Sequence, residues 1–82
     1  MTTIRTEWMI TGDPGPGYQR PYRFVWGPDY IRMRGLAPDQ VEADARATFA
    51  QLTTPIKELG RPGLTDARLR FRVIVETDWE DA

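Results

Sequence analysis

The sequence predicts a small α+β domain, in which a three-stranded, antiparallel-rich sheet of order 2-1-3 carries one helix on one face. Three observations lead there. Two segments near the N-terminus and one near the C-terminus alternate apolar and polar residues with period two. A central segment repeats its apolar residues every three or four positions, and glycine and proline punctuate the joins. At 82 residues, with 40% hydrophobic and 28% charged content, the chain supports one small core, so residues 1–82 form a single domain.

From Ile4 to Ile10, Ile4, Thr6, Trp8 and Ile10 share one parity and Arg5, Glu7 and Met9 the other, the pattern of a half-buried strand. Gly12 to Gly17 holds three glycines and two prolines and can neither extend that strand nor start a helix, which predicts a stiff connection. Tyr22, Phe24 and Trp26 then alternate with Arg23 and Val25 until Gly27-Pro28 stops the run, giving a second strand that pairs back onto the first. Tyr30 to Arg34 is read as an extension of it. Pro38 and Asp39 open a helix that runs to about Thr53, because proline suits the first position and an acid suits the positive first turn. Its apolar stripe is Val41, Ala45, Phe49 and Leu52, with Glu42 and Arg46 as an i,i+4 pair. After one further turn closed by Gly60, Leu69, Phe71, Val73, Val75, Thr77 and Trp79 share a parity through the longest alternation in the chain. A helix returning along the sheet places this last strand beside the first and parallel in direction to the second.

Composition removes much chemistry. The chain has no Cys, His, Ser or Asn and one lysine, Lys57. Thiolate and serine nucleophiles, imidazole bases and ordinary zinc or haem sites are therefore excluded, and no cofactor is expected. The glycine-rich stretch leads into a strand rather than a helix, and Pro14 and Pro16 offer no N–H, so it is not read as a phosphate loop. Glu76, Asp78, Glu80 and Asp81 are read as a solvated acidic tail, because calcium loops interleave acids with turn residues. No run approaches the ~20 apolar residues of a membrane span and no leader pattern opens the chain, which predicts a cytoplasmic protein. A net charge of −1 gives no field that would recruit nucleic acid.

By parity, Trp8, Trp26, Phe71 and Trp79 face the helix and form the core. The opposite face carries Arg5, Glu7, Arg23, Arg70, Arg72 and Glu76, with Met9, Val25 and Ile74 at the middle of the three strands. Apolar centres framed by arginines have the anatomy of an interface, so Arg5, Met9, Arg23, Val25, Arg70, Arg72 and Ile74 are the expected contact residues.

Thr6 to Tyr18 and Pro21 to Trp26, with Val75 to Glu80, resemble segments of short uncharacterised proteins of actinobacteria and their phages. The resemblance implies a small phage or accessory cytoplasmic protein and brings no activity or site residue with it. The resulting expectation is a non-enzymatic module that binds a protein partner, or itself as a homo-oligomer, through the helix-free sheet face. The alternative is a nucleic-acid-binding protein using the same arginines, which the net charge and the lack of outward aromatics disfavour.

Overall fold

The computed structural model describes all residues, Met1–Ala82. Strands β1 (Thr3–Asp13), β2 (Tyr22–Trp26) and β3 (Thr65–Glu76) form one sheet in the order β2-β1-β3, and helices α1 (Pro28–Arg34) and α2 (Pro38–Thr53) lie between β2 and β3 in the chain. Both strand pairs are antiparallel, so β2 and β3 run in the same direction on either side of β1, as the sequence predicts. A 3₁₀ turn at Lys57–Leu59, closed by Gly60, is the expected further turn after α2.

Two helices replace the single one expected. Tyr30 to Arg34 belongs to α1 rather than to an extension of β2. Pro28 stands in its first turn with Asp29, and Gly35 ends it in the left-handed region at φ 64°, where its N–H donates to the carbonyl of Arg32. Gly27-Pro28 thus stops a strand and starts a helix at once. The alternation of Ile31, Arg32, Met33 and Arg34 imitates a strand over a segment too short to display a helical period.

The core forms where the sheet has three strands. Register places Trp8 between Trp26 and Phe71, and Ile10 between Phe24 and Leu69. Trp8, Ile10 and Trp26 are buried against Val41 and Ala45 of α2, with Phe24, Tyr30, Leu36, Phe49, Leu52 and Leu69 packed around them. Trp26 has no exposed surface, and its indole N–H donates to Asp44 Oδ2 at 2.9 Å, which ties α2 to β2. Phe24, Trp26 and Tyr30 meet edge to face. Beyond α2, Gly63 passes so close to the helix end that a Cβ there would lie 2.5 Å from the carbonyl oxygen of Thr53. This approach lets Leu64 N–H donate to Leu52 O at 2.7 Å and delivers the chain to the start of β3.

The other end of the sheet is built differently. β2 pairs only with Trp8 to Gly12, so Thr3 to Glu7 and Arg72 to Glu76 continue as a two-stranded ribbon. β3 begins at Thr65, earlier than its alternation announces, and ends at Glu76, before Trp79. The expectation that the whole parity row enters the core is corrected here: Phe71, Val73, Val75 and Ile4 are 57–68% exposed, and Trp79 lies wholly in solvent. The reason is length. A 16-residue helix spans about 24 Å. The ten pairs of β1 with β3 extend over roughly 33 Å. Helix α2 packs on the Leu69 end and leaves the ribbon bare, giving a molecule of 57 × 25 × 19 Å.

Candidate functional site

The helix-free face gathers the residues expected of it. Arg5 pairs with Ile74, Met9 lies between Val25 and Arg70, and Arg23 sits two pairs further along β2, opposite Thr11. Side chains on this face are organised by Glu7, which is buried in the middle of β1. Its Oε1 accepts from Arg72 Nη2 at 2.8 Å and Nε at 3.1 Å, and its Oε2 lies 3.6 Å from Arg5 Nε. Arg5 also pairs with Glu76. The four charges form a chain that runs obliquely across β1 and β3 and covers the sheet between them.

Glu7 engages guanidinium groups with both oxygens, so the most buried carboxylate of the chain serves as a hub and is not free to act on a ligand. Met9, Val25 and Ile74 are only half-exposed. A shallow depression of about 240 Å³ lies over Met9 and Val25, lined also by Glu7, Arg23, Arg70 and Arg72. No group of three acidic side chains is placed to hold a metal ion, and no helix is long and apolar enough to cross a membrane.

An uncovered apolar row lies on the opposite side of the ribbon. Ile4 faces Val75, and Phe71 and Val73 continue the row along β3. The four side chains are contiguous on one face, with Trp79 a few residues beyond. Sequence reasoning assigned them to the core because parity reports which face a residue shares, and nothing in the pattern reports how far along that face a helix reaches. One end of this row does touch the core, since Phe71 lies 5.3 Å from Trp8 between ring centroids. Arg46 of α2 stacks over the other side of Trp8 at 5.4 Å, which closes the helix-covered layer at that point.

The charges along β3 are sorted. Arg68, Arg70 and Arg72 precede Glu76, Asp78 and Glu80 at alternate positions. Arg72 is engaged by Glu7, while Arg68 and Arg70 form no ion pair within the chain. The accessible surface is 6832 Å². A folded monomer of this mass exposes roughly 5,000 Å².

No protein-family model matches the chain, and a search of curated proteins and of solved structures finds no significant match.

Proposed function

We propose that this chain is a non-enzymatic cytoplasmic module, of the small phage or accessory type, that works by binding protein along its two-stranded ribbon. The observation that carries this reading is the uncovered row of Ile4, Phe71, Val73 and Val75. Isolated apolar side chains are ordinary on a protein surface, whereas a contiguous row on an extended ribbon is the form of a binding site. A two-stranded ribbon is only marginally stable in water, so a partner laid on it stabilises the ribbon as well as the complex.

The helix-free face contributes the polar part of the same surface. Arg5, Met9, Arg23, Val25, Arg70, Arg72 and Ile74 lie on the reverse of the ribbon and of the adjoining three-stranded sheet, so a partner that wraps the β3 edge meets both sides. Catalysis has little support in this arrangement: Glu7 is occupied by arginines, and the chain lacks His, Cys and Ser.

Val73→Glu combined with Val75→Glu tests the reading. Both side chains point to solvent, so the double variant should keep the circular dichroism of the parent and lose its associations, read by sedimentation of the pure protein and by affinity capture from cell extract. Retention of every association would overturn the proposal. So would tight binding of duplex DNA or RNA that collapses with added salt, because that behaviour identifies a phosphate backbone as the partner.

A further inference from the structure

We infer that the occupant of the ribbon is a second copy of this chain, joined β3 to β3 in antiparallel register about a two-fold axis at Val73; this rests on the reading of the ribbon as a protein-binding surface. β3 is the terminal strand of the sheet, so one edge of its backbone is unpaired over Thr65–Glu76. Such an edge is a template for strand addition, and pairing it with itself gives one continuous sheet in the order β2-β1-β3-β3-β1-β2.

Charge selects the direction. Parallel self-pairing aligns the Arg68, Arg70 and Arg72 row with itself, and the acids Glu76, Asp78 and Glu80 likewise. Antiparallel pairing lays the basic half of each strand on the acidic half of the other, and like charges directly opposite are penalised. Charge and apolar content together select the register. An axis at Arg72 sets that residue against itself, and an axis at Phe71 sets Arg70 against Arg72 and Asp66 against Glu76. An axis at Ile74 keeps the charges complementary but moves Phe71 opposite Thr77. At Val73, Arg70 faces Glu76 of the second copy, twice by symmetry, which places that carboxylate between Arg70 and its own Arg5, Arg68 lies toward the acidic segment that follows Glu76, and Arg72 faces Ile74. On the other side of the sheet Val73 meets Val73 and Phe71 meets Val75. Arg70, an exposed arginine of β3 with no ion pair in the chain, is thereby paired, and the exposed apolar residues of β3 enter one row.

Shape and area agree with this arrangement. Because β3 is reversed in the second copy, the two α2 layers lie at opposite ends of the joined sheet and the bare ribbons meet in the middle. The monomer exposes 6832 Å². That exceeds the value usual for its mass by about 1,800 Å², against the ~800 Å² per partner that a standard interface buries.

The test exploits the symmetry. Arg70→Glu alone sets a carboxylate against the Glu76 carboxylate at both symmetric contacts, and Glu76→Arg alone sets a guanidinium against that of Arg70 at the same two contacts. Each variant should dimerise at least about tenfold more weakly than the parent in sedimentation equilibrium. In an equimolar mixture of the two single variants, both symmetric contacts of the mixed dimer join opposite charges if the strands align as proposed, so dimer should return close to the parent level. The double variant Arg70→Glu with Glu76→Arg restores both contacts in reversed polarity and should regain dimer close to the parent level, which also shows that the exchanged side chains are compatible with folding. Val73→Cys supplies the only thiol in the chain and should cross-link to a covalent dimer under mild oxidation, because directly opposite residues of an antiparallel pair lie within disulfide reach. Met33→Cys, exposed on α1, should remain monomeric under the same conditions. A parent that stays monomeric at about 100 µM overturns the second copy as occupant and leaves the capture experiment above to judge the ribbon by itself. A dimer abolished by Val73→Glu with Val75→Glu, yet unaffected by both charge reversals, overturns the register while the ribbon reading stands.

Discussion

The two ends of the sheet have the same alternation and opposite fates. At one end Trp8, Ile10, Trp26 and Leu69 lie beneath α2, flanked by β2 and held by the Trp26–Asp44 hydrogen bond. At the other, Ile4, Val73 and Val75 occupy equivalent positions on the same face, with neither a third strand nor a helix over them. Apolar parity marks a surface for burial; whether burial happens within the chain depends on a second layer long enough to reach it. The helix-covered end therefore carries the stability of the monomer, and the bare end is available to a partner.

The largest effect that would sharpen this contrast is expected at Trp26. Trp26→Ala removes a wholly buried indole from the only substantial core in the chain and should cost ~3 to 5 kcal/mol, enough to unfold most of a domain this small. Circular dichroism and urea titration report it directly. A variant that melts within a few degrees of the parent would break the division of labour between the two ends.

Asp44→Ala is expected to rank second. It leaves the Trp26 indole N–H without its acceptor in a buried site, a loss of about 1 to 3 kcal/mol in urea denaturation. Asp44→Asn keeps an acceptor oxygen and should recover most of that stability, which separates the hydrogen bond from a general effect on the helix.

Val73→Ala should have the smallest effect, within about 0.5 kcal/mol when unfolding is followed at protein concentrations low enough to keep the chain monomeric. Val73 shares its face with Leu69 and differs from it in lying beyond the helix. At concentrations that favour association, the same substitution should lower the melting temperature more clearly, since the parent alone then gains from a filled ribbon. Equal shifts at both concentrations would show that Val73 is already buried within the monomer.

Much of the architecture was legible in the residues. Pro38 with Asp39 marks the start of α2, Gly27 stops β2, and the parities of β1, β2 and β3 place Arg5, Met9, Val25, Arg70, Arg72 and Ile74 on one face, where register puts them. These are local properties: a capped first turn, a residue that cannot continue a ladder, and a side-chain period of two are all decided by neighbours in the chain. Helix α1 escaped because seven residues do not display a period, and its caps, Pro28 and Gly35, read equally well as loop punctuation. The role of Glu7 escaped as well, since its partners Arg5 and Arg72 converge on it only when β3 lies beside β1. The exposure of Phe71, Val73 and Val75 is a property of relative lengths, because α2 is shorter than the β1–β3 ladder and lies at one end of it. Sequence alone determined which side chains share a face, because alternation is written into the backbone. Tertiary structure decided which of them are covered, because coverage depends on where a helix lands, and so it separated the core from the surface left for a partner.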